Sequence, residues 1–253
     1  MKKLAALITM MILFSQVGFS HMNHHYSISI LDQTPELTVI ATSGLSLREG
    51  PHSSSPLIKI IPYGDQVLIR KDQPDTSFLN RIEWVEGEWL AVEHDGSIGF
   101  VFDGFLTSLP LPSYEAEFSP YDMELIYPLE SWMQYNFTLT GKVDSIKRSG
   151  GLKVVSNFEN GNRMIQSHQL GFYKSDIYLH DTRIMDVYQL LLSMLDENEE
   201  AIQILKSNSV FIEDEKGFIN KIKINLDTPI EIRKLGPDLI RISSTSSDHY
   251  CKA

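Results

Sequence analysis

Short apolar stretches, each stopped within a few residues by a turn signal, run from Ala41 to Leu106 and read as a small β-barrel. Leu45 and Leu47 alternate with Gly44, Ser46 and Arg48, the period-two pattern of a strand with one buried face. Glu49-Gly50-Pro51 ends that strand, and His52 to Pro56 is a polar loop. Leu57 to Ile61 is the next strand. It closes on Pro62-Tyr63-Gly64-Asp65, where proline presets its backbone angle and glycine permits positive φ. Val67 to Ile69 follows, then a polar loop from Lys71 to Asn80. A strand through Trp89, Ala91 and Val92 reverses at Asp95-Gly96, a hairpin signal, and returns as Gly99 to Phe102. The expected core is Leu45, Leu47, Ile60, Val67, Ile69, Trp89, Val92, Phe100 and Phe102.

Four pieces of this stretch, in their order and spacing, resemble a bacterial SH3 domain (SH3b). They are Ala41-Thr42-Ser43-Gly44-Leu45-Ser46-Leu47-Arg48-Glu49-Gly50-Pro51, Ile60 to Asp65, Trp89-Leu90-Ala91-Val92 and Gly99 to Leu106. The resemblance implies a barrel over residues 38–109 used for docking onto a peptide or protein of the cell envelope, with no chemistry of its own. Tyr63, Trp84, Asp103 and Phe105 sit in or beside turns, where scaffolds carry recognition groups, and are the expected ligand-binding residues. Modules of this kind often accompany a cell-wall cysteine peptidase. That activity needs an internal nucleophile, and the sole cysteine here is Cys251, so a peptidase of that type is excluded.

Lys2 and Lys3, the apolar run Leu4 to Phe14 and the small residues Gly18 and Ser20 form an export signal over residues 1–20, expected to be cut ahead of His21. The apolar run falls short of the roughly 20 residues a bilayer span requires. The mature protein is expected to be soluble, and periplasmic or extracellular. The chain carries a formal charge of -11, and removing Lys2 and Lys3 makes it -13, which disfavours nucleic acid and anionic membrane surfaces as partners.

Alternating prolines in Leu109-Pro110-Leu111-Pro112-Ser113 form an extended connector (residues 110–113) after the barrel. Residues 114–243 are expected to form an α+β domain and residues 244–253 a polar tail, with 21–37 a polar N-terminal segment. Strand character marks Glu124 to Pro128, Trp132 to Thr140, Val143 to Lys147, Leu152 to Phe158, Arg163 to Gln169 and Phe172 to Leu179, with Asn160-Gly161 a hairpin signal. Ile184, Val187, Tyr188, Leu191, Leu192 and Leu195 form a helical stripe, capped by Asp181 or Thr182. A second short helix passes through Ile202 and Leu205, giving a helical hairpin or one kinked helix over 183–207. Strands resume at Val210, Gly217, Pro229 and Leu239. The fold class is mainly β with α+β: an SH3-like barrel, then an antiparallel sheet covered by a helical hairpin.

His21, His24 and His25 are the candidate metal ligands, since a free amine with imidazoles, or a histidine third from the terminus, suits copper or nickel; no other cofactor is expected. His168 and His180 flank one strand, and nothing in the spacing forces them to converge. No Gly-x-Ser-x-Gly, His-Glu-x-x-His or phosphate-binding glycine loop is present. The leading expectation is a non-catalytic exported binding protein. Its rival is an enzyme with an active site in residues 114–253 and a barrel that serves targeting. The shape of that second half separates them.

Overall fold

A computed structural model describes residues 36–70, 80–112, 125–148, 151–169, 171–195 and 198–247. The expected export signal, the three N-terminal histidines, most of the 71–80 loop and the last six residues lie outside them. The first half contains β1 (Glu36–Val39), β2 (Leu45–Arg48), β3 (Leu57–Ile61), β4 (Gln66–Ile69), β5 (Asn80–Ile82), β6 (Val85–Gly87), β7 (Trp89–His94), β8 (Ser97–Phe102) and β9 (Leu106–Thr107), with a 3-10 turn at Asp103–Phe105. The second half contains α1 (Ile126–Asn136), β10 (Leu139–Arg148), β11 (Gly151–Phe158), β12 (Arg163–Gln169), β13 (Phe172–His180), α2 (Ile184–Met194), α3 (Glu199–Ser207), β14 (Ser209–Glu213), β15 (Ile219–Ile224), β16 (Ile230–Gly236) and β17 (Leu239–Ser247). The protein is mainly β, and every strand pairing is antiparallel.

The barrel sheet runs β3-β2-β8-β7-β4-β1-β9. Alternation along its strands sends Leu37, Val39, Leu45, Leu47, Ile61, Val67, Val92, Val101 and Leu106 inward into one core. The turns expected from sequence have the backbone they need: Gly64 at φ 85°, and Asp95 and Gly96 at φ 48° and 71°, the paired positive angles of a tight hairpin. Four expected core residues behave differently, and one of them, Phe100, is only half-buried and packs against the core shared with the second half. Ile60 is 49% exposed, because Ile61 takes the inward position on that strand. Trp89 and Phe102 are buried, but against the second half of the chain rather than in the barrel interior.

The second half is one sheet of eight strands, β10-β11-β12-β13-β17-β16-β15-β14. Its inward face is apolar: Met164, Ile177, Ile242, Ile232 and Ile222 lie in one cross-strand row. Every residue of α2 is buried, and α2 lies on β15 and β16. Strand β17 stands between β13 and β16, so the latest strand in chain order occupies the middle of the sheet.

Three expectations are corrected here. The stretch expected as strands at Glu124 to Pro128 and Trp132 to Thr140 is instead the helix α1 over 126–136, followed by β10. Its buried residues Ile126, Leu129, Trp132 and Met133 repeat at helical spacing, and Pro128 sits in the first turn, where its missing N–H costs nothing. The strand expected to stop at Ser243 continues to Ser247: Ser244 Oγ–H donates to the Pro229 carbonyl (2.9 Å), and Thr245 pairs with Lys174. The helical region is two helices, α2 and α3. The first has Arg183 at its N-cap position rather than Asp181 or Thr182, and Asn198 caps the second by accepting from Ala201 N–H. No helix of the described residues is long and apolar enough to cross a membrane.

Candidate functional site

Three of the four candidate ligand residues face the second half of the chain. Asp103 opens the 3-10 turn and is fully buried; its carboxylate accepts the Glu88 N–H at 2.6 Å and an Arg183 guanidinium N–H at 3.0 Å. Arg183, at the start of α2, also donates to the carbonyls of Asp103 and Leu106 (3.0 and 2.7 Å) and to the Asp186 carboxylate (2.7 Å). Burial pushes the Asp103 carboxyl above its usual range, and the Arg183 charge pulls it back. The turn fits only because its neighbours are glycines: a Cβ at Gly87 would stand 2.5 Å from Asp103 Oδ1, and one at Gly104 2.8 Å from the Glu86 carbonyl.

Trp84 follows Glu83, whose φ of 56° turns β5 back into β6. Its ring meets Tyr188 of α2 edge-on at 4.9 Å and stacks on Phe211 of β14 at 5.4 Å. Phe105 packs beside Phe102 at 5.9 Å. Close by, the buried Glu86 carboxylate accepts from Arg81 (2.6 Å) and from the Ile219 N–H (3.1 Å), while Arg81 also reaches Glu213 at 2.7 Å. The connector joins in: Leu109 is buried, and Trp132 Nε1–H donates to the Pro110 carbonyl at 2.9 Å. One contiguous core therefore runs from Val85, Trp89 and Phe102 into α1, α2 and the eight-stranded sheet. Loop aromatics mark ligand sites and domain contacts equally well, and nothing local in the sequence pairs Asp103 with Arg183 or Glu86 with Ile219.

Strand β3 ends the barrel sheet and pairs with β2 alone among the described residues. It presents Leu57, Ile58 and Ile60 at 52%, 40% and 49% exposure. A bulge between Leu47 and Arg48 offsets the register there. Tyr63, the fourth candidate, sits half-buried in the turn that follows β3. An exposed apolar edge strand is a template for pairing with another chain, and folded proteins normally blunt such edges.

A buried polar network in the second half centres on Glu130. Glu130 of α1, nearly buried, accepts from Gln166 Nε2–H (2.9 Å) and from the Tyr173 hydroxyl, while the Tyr127 ring stacks on Tyr173 at 5.5 Å. Burial and the Glu130 carboxylate push the Tyr173 phenol well above its usual range. Glu130 thus has its acceptor capacity engaged from within. His168 lies against Tyr173, and His180 lies over Gly161 at the other end of β13, so the two do not converge. Among the described residues no cluster of three or more His, Cys, Asp or Glu side chains could hold a metal ion.

The barrel is thus a small antiparallel module built into its neighbour, with β3 paired on one side alone among the described residues. Residues 43–107 match the family model of the bacterial SH3 domain, and this segment is such a domain. No curated protein and no solved structure matches the chain.

Proposed function

We propose that the protein is a non-catalytic, exported binding protein of the cell envelope, whose bacterial SH3 domain docks onto a peptide or protein through the β3 edge. The observation carrying this reading is the division of the barrel surface. Trp89 and Phe102 are committed to the core shared with the second half, whereas β3 leaves Leu57, Ile58 and Ile60 exposed on a strand paired on one side alone among the described residues. An extended segment added there gains main-chain hydrogen bonds, with the exposed side chains supplying selectivity. Tyr63, in the next turn, is assigned to the ligand face; Trp84, Asp103 and Phe105 are assigned to orienting the barrel on the sheet.

The test compares recovery of envelope components by the mature protein and by an Ile58→Lys/Ile60→Lys variant, which places charge at two exposed positions of the apolar strand. The docking reading requires recovery to fall sharply with the fold retained; equal recovery sinks it. Copper or nickel binding by His21, His24 and His25 is a separate proposal. It requires a visible Cu(II) band on titration of the mature chain, and the lack of one ends it.

A further inference from the structure

The outward face of the eight-stranded sheet has a different chemistry from the inward one. In its central rows every side chain is exposed or half-exposed except Asp176. Register places Arg163, Tyr178, Arg241, Arg233 and Lys221 side by side across β12, β13, β17, β16 and β15. Neighbouring strands stand about 4.8 Å apart, and like charges directly opposite one another repel. Three of these cations, Arg233, Arg241 and Lys221, share a single carboxylate, Glu231, at 3.1, 3.4 and 3.7 Å. Arg163 lies over the Tyr178 ring at 4.6 Å. Lys223 is exposed one row on, beside Glu231, with no ion-pair partner among the described residues. Arg241 Nε is enclosed without a hydrogen-bond partner. The chain as a whole is acidic, at -11, so a cationic row on this face is a local departure from its charge balance.

We infer that this row is a docking face for a carboxylate-rich peptide segment of a partner protein. Glu231 shows the chemistry in place: cations from three adjacent strands close on one carboxylate. The guanidinium fork matches a carboxylate through two parallel hydrogen bonds, and donor capacity remains on Arg163 and Arg241. Half-exposed Ile165 and Val155 and the 48% exposed Val210 occupy the adjacent row. Apolar ground between charges suits a peptide, which brings apolar side chains of its own, better than a fully hydrated phosphate polymer.

Fluorescence anisotropy on the full chain tests this with a labelled peptide of alternating Glu and Leu, its Gln and Leu counterpart, and inorganic polyphosphate as competitor. The Glu peptide binds at low salt and weakens as salt rises, and the Gln peptide binds about tenfold more weakly. Arg233→Gln with Arg241→Gln lowers affinity for the Glu peptide by about tenfold or more. Lys223→Glu lowers it severalfold and, at an exposed and unpaired position, leaves the fold intact by circular dichroism. Equal affinity for both peptides, unchanged affinity in Lys223→Glu, or no binding of the Glu peptide at low salt overturns the assignment.

Discussion

Arg183 and Asp103 lie 80 residues apart in the chain and meet at 3.0 Å, with side chains 11% and 1% exposed. The guanidinium that opens α2 closes on the carboxylate that ends the barrel's last hairpin. The same guanidinium holds two backbone carbonyls and Asp186, so it acts as a four-point clamp between the halves.

Breaking a buried pair strands the surviving charge. Arg183→Met is therefore expected to cost about 3–5 kcal/mol, and Asp103→Asn somewhat less. The double variant is expected to cost less than the two added together, because neither charge is then left alone. Urea unfolding of the four proteins measures this, and strictly additive costs would deny the coupling.

Close backbone approach makes a second prediction. Gly87→Ala sets a methyl group 2.5 Å from Asp103 Oδ1 and 2.7 Å from the Gly104 nitrogen, and is expected to cost about 2–3 kcal/mol. Gly96→Ala meets nothing within 4 Å and pays only for its φ of 71°, about 1 kcal/mol. Midpoints of chemical unfolding rank the two, and a reversed order refutes the tight turn at Asp103.

Alkaline stability depends on Tyr188. Its phenol, ordinarily near 10.0, is pushed up to about 12 by burial in the shared core, with the bond to Ser209 opposing. The unfolded chain releases this proton first, so stability is complete below pH 10 and falls as pH rises towards 12. Tyr188→Phe is expected to flatten that fall by up to about 3 kcal/mol while costing about 1 kcal/mol at neutral pH. Tyr173, shifted in the same direction, keeps part of the slope in the variant. Unfolding free energies at neutral and alkaline pH decide it; an unchanged slope counts against the buried phenol.

The connector gives a fourth. Trp132→Phe keeps most of the ring and removes the donor to the Pro110 carbonyl, at a cost of about 1–2 kcal/mol. Trp132→Ala empties a fully buried site, at about 3–5 kcal/mol. Limited proteolysis near residues 110–112 should follow the same order. Equal resistance in all three proteins would show that Trp132 does not anchor the connector.

The barrel was legible because its signals are local. Period-two strands, the Pro62-Tyr63-Gly64-Asp65 turn and the Asp95-Gly96 hairpin each lie within a few residues of their cause. Helix α1 was not, since Tyr127, Tyr135 and Phe137 bring a strand-like composition. Its helical stripe rests on a few residues, among them Ile126, Leu129 and Met133. The Leu57 to Ile61 run lacks alternation, so period alone could not tell that Ile61 points inward and Ile60 outward. The junction was hidden for a different reason. Trp84 and Asp103 are turn residues whose partners, Tyr188 and Phe211 for the first and Arg183 for the second, come from the far half of the chain, and no sequence spacing encodes such a meeting.

The position of β17 between β13 and β16 bears on how the chain is made. Strands β10 to β13 emerge first and β14 to β16 later, yet the two groups share no hydrogen-bonded edge until β17 slots between them. The sheet therefore cannot close strand by strand during synthesis, and its final hydrogen-bonded ladders wait for residues 239–247. Truncation before Leu239 would therefore leave two separate sheet fragments, β10 to β13 and β14 to β16, in place of one eight-stranded sheet.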